Sequence, residues 1–311
     1  MLSILIPTYN RSEFLLKNLN ILFDIIKKAG FSDEITIIIS NNGSPDDTQE
    51  VIENFSKTHD LNIVAYEQKE NLGVKTNVLF LLEKCTDEYV MFLGDDDYIS
   101  YEYLTECMDI LRRDKSTYAI IPNFVPVSVN DEILGPPRDK MDQIKCFEPG
   151  FKTLLINSFK GHQLSGLTLK REGLREVYLE HKVDNLYQFI YFASIWCLKG
   201  TVYNLSNLPV KVTQPVKKKD WGYGDDGSVN EIFDNYKKLP VNYFQRFALE
   251  LYFMHKNLIR LTMYKSQGTA KYLKAFYKIS FAKNATTLFS IVYPFYVPAR
   301  WAISSLKRVI K

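Results

Sequence analysis

The first 120 residues switch repeatedly between two hydrophobic periods, and this alternation restricts the fold more than any other feature. Leu2–Ile6 is a short apolar β run stopped by Pro7. Ser12–Ala29 places Phe14, Leu15, Leu19, Leu22, Phe23 and Ile26 on one helical face, with Gly30 as a stop. Glu34–Ser40 is β-branched and ends in the turn cluster Asn41-Asn42-Gly43-Ser44-Pro45. A helix over Asp46–Ser56, a strand over Leu61–Tyr66, a turn at Asn71-Leu72-Gly73, a helix over Val74–Lys84 and a strand over Glu88–Leu93 follow. Such alternation predicts an α/β domain on a mainly parallel central sheet. Ligands of these sheets bind at the carboxyl ends of strands. Three polar clusters fall at such ends: Thr8-Tyr9-Asn10, Asn41-Asn42 and Asp95-Asp96-Asp97.

Beyond Tyr101 the pattern predicts a helix to Arg113 and a strand over Tyr118–Val129 broken by Pro122 and Pro126. Asp131–Pro149 reads as loop, Ser165–Lys170 as strand, with a short helix from Glu172. Asp184–Leu198 reads as helix and Thr201–Val212 as extended chain. Pro215–Ser228, rich in Lys, Gly and Asp, reads as a mobile loop, and the chain is helical from Glu231.

Charge is unevenly spread. Leu251–Lys311 holds 11 basic residues, 12 aromatics and no Asp or Glu, while the first 250 residues carry 28 basic against 36 acidic side chains, a net of −8. Basic residues mixed with aromatics describe a helical segment lying on an anionic membrane surface. A helical subdomain with its aromatics packed inward, or an oligomer contact that would make the protein a homo-oligomer, fits the same composition. Nucleic acid is not an expected partner, because no recognition motif accompanies the charge. The longest uncharged stretch of this tail, Asn284–Ala299, has 16 residues and contains Pro294 and Pro298, too short and too broken to span a bilayer. Met1 leads straight into a strand, so no signal peptide is expected. Cys85, Cys107, Cys146 and Cys197 form no C-x-x-C pair and read as reduced thiols of a cytosolic protein.

Three adjacent carboxylates repel one another, and a divalent cation relieves that repulsion. Oxygen ligands at a strand end suit Mg²⁺ or Mn²⁺ that also bridges phosphates, so Asp95, Asp96 and Asp97 are metal-site candidates. An acidic turn or a helix cap would use the same residues. The Asn amides of Asn41 and Asn42 offer donor and acceptor together, as a nucleobase edge requires, or simply make a turn. Asn71 and Lys75 bracket a helix start where a Lys can reach a phosphate or stay solvated.

Together these pieces resemble glycosyltransferase family 2, an inverting family with the GT-A fold. The resemblance rests on Ser3-Ile4-Leu5-Ile6-Pro7-Thr8-Tyr9-Asn10-Arg11, on Ile39–Thr48 with Asn41-Asn42-Gly43-Ser44, on Glu70-Asn71-Leu72-Gly73, and on Tyr89–Asp97 with its Asp-x-Asp element. It is clear to about residue 125, vague to about residue 215 and absent beyond. It implies a GT-A domain over residues 1–215, with a nucleotide-sugar half (1–100) and an acceptor half (101–215). A mobile loop and linker helix (216–250) and the basic aromatic tail (251–311) would follow. Pro7, Thr8 and Tyr9 would line the base and ribose pocket, with Asn42, and Asn41 beside it, facing the base. Asn71 and Lys75 complete the expected nucleotide-sugar contacts. Asp95 and Asp97 would touch the ribose and a Mn²⁺ or Mg²⁺ ion on the diphosphate, with Asp96 between them. An inverting transfer also needs a carboxylate base. The family often uses the Asp of a Glu-Asp pair before a helix; Asp184 fits by position, although Val183 stands where the Glu would be, and Glu180 is the alternative. His162 is a candidate acceptor-site residue.

The implied activity is metal-dependent transfer of a sugar, from UDP, to a hydroxyl of a lipid-linked or cell-surface polysaccharide acceptor. The implied location is cytoplasmic, peripheral at the inner face of the membrane. Two rivals stand beside it: a sugar nucleotidyltransferase, which should show a Gly-rich loop that residues 7–11 lack, and a non-catalytic membrane-associated binding protein on a degenerate transferase fold, which would not need the intact acidic triplet.

Overall fold

The computed structural model describes residues 1–215 and 223–309, with side chains as far as Trp301. The middle of the expected mobile loop, residues 216–222, lies outside the described residues. The chain divides into two compact units, Met1–Lys182 with Phe192–Lys218, and Val183–Tyr191 with Lys219–Lys311.

The first unit alternates as its hydrophobic periods predict: β1 (Leu2–Thr8), α1 (Ser12–Ala29), β2 (Ile35–Asn41), α2 (Thr48–Thr58), β3 (Asn62–Glu67), α3 (Gly73–Lys84), β4 (Tyr89–Phe92) and α4 (Tyr101–Arg113). There follow β5 (Thr117–Val127), β6 (Lys145–Phe147), α5 (Phe151–Asn157), β7 (Thr168–Lys170), α6 (Leu174–Glu180), α7 (Gln188–Cys197, which belongs to this unit from Phe192 on) and β8 (Thr201–Thr213). One eight-stranded sheet runs β3-β2-β1-β4-β7-β5-β8-β6. Its first four strands are mutually parallel, β5 and β8 are parallel, and β7 and β6 run against their neighbours. The mainly parallel α/β sheet is therefore as expected.

Strand residues alternate between faces. Leu2, Ile4 and Ile6, Ile35, Ile37 and Ile39, and Tyr89, Met91 and Leu93 pack with Leu15, Leu19 and Leu22 of α1, Ile52 and Phe55 of α2, and Leu104, Cys107 and Leu111 of α4. The strands are covered on both faces, because α3 packs against β1 and β2 as well. This is why they read as continuous apolar runs.

Several boundaries differ from the expectation. Pro122 and Pro126 do not break β5. A proline lacks only the N–H, and the edge of β5 away from β8 needs carbonyls: Leu134 N donates to Pro126 O, and Arg138 N to Phe124 O, both at 2.9 Å. The expected loop 131–149 contributes β6, and α5 was not foreseen. α7 starts at Gln188 rather than Asp184, because Asn185 and Tyr187 are drawn into a turn by their own hydrogen bonds.

In the second unit α8 (Val229–Lys237), α9 (Tyr243–Lys256), α10 (Ile259–Thr262), α11 (Thr269–Ser280) and α12 (Thr287–Val309) form a helical body. Phe233, Phe253, Phe289 and Tyr293 make a buried aromatic core. Pro294 and Pro298 lie inside α12 without ending it; buried Phe289, Tyr293 and Val297 hold the helix where its hydrogen-bond ladder is weakened. Among the described residues no helix is long and apolar enough to cross a membrane.

At the centre of this unit the Glu250 carboxylate is fully buried. It accepts from Arg246 Nε at 3.0 Å, Thr286 Oγ1 at 2.6 Å and Thr286 N at 3.0 Å. Burial pushes this carboxyl up, against the opposing pull of Thr286 and Arg246. Removing one partner of a buried ion pair costs about 3–5 kcal/mol. Glu250→Ala should therefore lower the urea midpoint of this unit markedly, and Glu250→Gln, which keeps a hydrogen-bonding oxygen, should lower it less.

Candidate active site

β1 and β4 pair in parallel from Leu2↔Tyr89 to Leu5↔Phe92, and β1 continues to Thr8 after β4 has ended. The chain leaving β4 therefore turns across the tip of β1. There Thr8 Oγ1 donates to Asp95 Oδ2 at 2.7 Å. From α1, Asn18 Nδ2 donates to Gly94 O at 2.8 Å and to Asp97 O at 2.9 Å, clamping the acidic turn from below. Gly94 admits no side chain easily, since a Cβ would stand 3.1 Å from Asp97 Oδ2 and 3.2 Å from Ser165 Oγ.

Asp97 is gripped on both oxygens. Thr213 N, at the end of β8, donates to Oδ1 at 2.9 Å. Gln163 Nε2 donates to Oδ2 at 3.2 Å, and Ser165 Oγ donates to the same oxygen. Asp96 instead makes an ion pair with Arg11, 2.6 Å from Nη1 to Oδ2. Asp95 is 8% exposed and Asp97 5% exposed, and both are held by neutral donors. Burial, reinforced by the Asp96 charge, pushes the Asp95 carboxyl up to about 6 and that of Asp97 up to about 7. Arg11 thus answers Asp96 with a full charge, whereas among the described residues Asp95 and Asp97 receive hydrogen bonds but no ion pair of their own.

Among the described residues no three His, Cys, Asp or Glu side chains converge as a metal cage. Mg²⁺ and Mn²⁺ do not require one, because they are commonly held by one or two carboxylates together with substrate phosphates. Two hard oxygen donors with no ion-pair partner among the described residues fit such an ion, which would favour their ionised forms. Asp95 and Asp97 are the residues that would hold it.

A second wall comes from β2 and the turn before α3. Asn42 N donates to Thr8 O at 2.9 Å, tying this wall to the tip of β1. The buried Asn42 side chain donates to Asn71 Oδ1 at 2.9 Å and accepts from Leu72 N at 3.0 Å. Gly43, at φ +71°, lies so close to Glu70 that a Cβ would come within 2.8 Å of its carbonyl carbon. Asn41 is wholly buried; its Oδ1 accepts from Ser44 N at 3.0 Å and its Nδ2 donates to Gln49 at 3.1 Å.

Thr8, Asn42, Asn71 and the acidic turn are thereby brought into one bonded set. Pro7 is half-buried at the end of β1, Tyr9 is exposed beyond it, and Lys75 is half-buried in the first turn of α3. Glu180, exposed, ends α6 in the first unit, and Asp184, also exposed, lies before α7 in the second. His162 stacks on Phe159, ring centroids 4.5 Å apart. Asn18, Gln163, Ser165 and Thr213 escaped the sequence reading. Three of them lie on segments that meet the acidic turn only through the order of strands, and Asn18 stands unmarked among the apolar positions of α1.

Residues 3–171, just over half of the chain, match the family model described as Glycosyl transferase family 2. The abequosyltransferase RfbV of Salmonella typhimurium is 33% identical over 104 residues, 33% of this chain and 30% of that protein. The GalNAc(5)-diNAcBac-PP-undecaprenol beta-1,3-glucosyltransferase of Campylobacter jejuni is 34% identical over 96 residues, 31% of this chain and 29% of that protein. The match thus spans under a third of either relative. Among solved structures, residues 1–349 of S. aureus TarS in complex with UDP-GlcNAc superpose with a TM-score of 0.67 at 17% identity, over 90% of this chain and 81% of that one. The mannosyltransferase PcManGT of Pyrobaculum calidifontis, in complex with GDP-Man and Mn²⁺, gives 0.55 at 13% identity, over 91% and 87%. At such identities the likeness is one of fold, and the fold is GT-A.

The Asn42 side chain is the tie between the two loops of the second wall. Asn42→Ala leaves Leu72 N and Asn71 Oδ1 without this partner, which costs about 1–3 kcal/mol. Chemical denaturation should register that loss, and the Asn71-Leu72-Gly73 turn should gain the fastest amide exchange in the first unit.

Proposed function

The chain belongs to glycosyl transferase family 2, and on that premise we propose that it is a metal-dependent inverting glycosyltransferase, moving a sugar from UDP to a hydroxyl of a lipid-linked or cell-surface polysaccharide acceptor. One observation carries the reading: Asp95 and Asp97 are buried at the carboxyl end of β4, where among the described residues their hydrogen bonds come from neutral donors, beside the tips of β1 and β2. Two such carboxylates are a cost to folding unless a cation and a diphosphate complete them. The acceptor class is drawn from the family and from the basic tail, which also supports a peripheral place at the cytoplasmic face of a membrane.

In this reading Pro7, Thr8 and Tyr9 line the nucleoside pocket. Asn42 and Asn71 form its floor through the amide edges their mutual hydrogen bond leaves over, and Asn41 keeps the loop in shape. Lys75 approaches the diphosphate from the first turn of α3. Asp95 would meet the ribose, and Asp97, with Asp95, would hold a divalent ion, which when bound would offset charge on the departing diphosphate. Ser165, Gln163 and Thr213 fix the Asp97 carboxylate, so little reorganisation is needed as that charge develops. Asp184 takes the proton from the acceptor hydroxyl as its oxygen attacks the anomeric carbon from the face opposite the diphosphate. The C–O bond to the diphosphate breaks in the same displacement, and the configuration inverts.

Asp97→Ala should abolish the Mn²⁺-dependent part of UDP binding with the fold intact. Calorimetric titration with UDP, with and without Mn²⁺, measures this directly, and an unchanged Mn²⁺ effect would remove Asp97 from the metal site. Asp184→Asn should keep donor affinity and cut transfer at least ~10²-fold, the lower end of what a positioned base supplies. Near-parental turnover in that variant would hand the role to Glu180.

A further inference from the structure

α11 divides its surface into three strips. Ala275 and Ile279 are buried, while Tyr272 and Phe276 stack on Trp301 and Tyr293 of α12. Opposite this inner face stand Leu273 and Tyr277, continued by Phe281, which caps the helix with its N–H on Tyr277 O at 3.0 Å; spaced four residues apart, they are 55%, 66% and 54% exposed. Residues at this spacing lie one above the other on a helix. Beside that apolar row, about a quarter-turn further round, run the exposed Lys271, Lys274 and Lys278. The neighbouring α12 exposes Ile291 (59%) and Phe295 (75%) on the side away from its buried Tyr293 and Val297. A monomer rarely leaves large apolar side chains in a row on its surface without a use.

The surroundings decide what covers the row. No Asp or Glu occurs after Glu250. Asp225 bridges Lys274 and Lys278 at 2.8 Å each, so one carboxylate answers two ammonium groups. A twofold contact between copies would set this lysine row against its own image, since such an interface presents the same patch from both sides. An anionic lipid surface accepts both strips together, aromatics at the headgroup level and lysines at the phosphates.

We propose that α11 is an in-plane membrane anchor, with Leu273, Tyr277 and Phe281 entering the headgroup–acyl boundary of an anionic leaflet and Lys271, Lys274 and Lys278 meeting its phosphates. The proposal gives the membrane-proximal acceptor reading a physical attachment point and depends on that reading only for its biological use. The test is co-sedimentation of the full chain with vesicles of equal parts phosphatidylglycerol and phosphatidylcholine, and with phosphatidylcholine alone, at low and high salt. The parent should bind the anionic vesicles, less so as salt rises, because screening removes the charge attraction first. The variant Leu273→Ser, Tyr277→Ser, Phe281→Ser should bind at least roughly tenfold more weakly, with unchanged circular dichroism and donor hydrolysis. The pair Lys271→Glu, Lys274→Glu keeps the apolar row and should lose most low-salt binding; it decides the matter if the triple variant fails to fold. A parent that ignores anionic vesicles at low salt, or variants that bind like the parent, overturns the proposal. So does a triple variant that turns an oligomer into monomers with vesicle binding unchanged. Intact vesicle binding by a parent without donor turnover supports the anchor and counts against the transferase reading instead.

Discussion

Burying two carboxylates at the tip of a parallel strand is the demand around which the first unit is arranged. A carboxylate removed from water without hydrogen bonds is costly, so every segment that reaches the end of β4 brings a donor. β1 brings the Thr8 hydroxyl, the approach to β7 brings Gln163 and Ser165, and the end of β8 brings the Thr213 amide. α1 spends Asn18 on the backbone of the turn, and Gly94 leaves room for the converging groups. Even so, burial keeps both carboxyls well above the ordinary Asp range. Each carboxyl is thus held by hydrogen bonds yet kept from ionising as readily as a solvated Asp.

The second wall follows another economy. Asn42 ties to the β1 tip through its backbone and to the Asn71 turn through its side chain, so one residue sets the spacing of three loops. The close approach of Gly43 to Glu70 fixes the same spacing by contact. Loops tied in this way are held in one arrangement by their own contacts, which lowers the ordering cost that any binding to them would carry.

The second unit shows how packing overrides local preference. Pro294 and Pro298 argue against a helix on any propensity scale, yet α12 runs through both because Phe289, Tyr293 and Val297 anchor its inner side in an aromatic core. The tail's aromatics divide between that core and the exposed rows of α11 and α12, so the two readings of its composition describe different residues of the same helices.

The sequence by itself determined the alternation of strands and helices, because the two hydrophobic periods of residues 1–113 leave no other solution, and α1 and α4 keep the bounds their patterns predict. It also marked Thr8, Asn42, Asn71 and the acidic triplet, since polar residues that close apolar strands must face a ligand, a turn or water. It could not place Gln163, Ser165 or Thr213 beside Asp97, 66 to 116 residues away along the chain. Their arrival depends on β7 and β8 inserting where they do in the order β4-β7-β5-β8, and strand order is a non-local choice that no short window encodes. Nor could it tell buried Phe289 from exposed Phe295 within one uncharged stretch, because only a packed neighbour decides which side of a helix is inside.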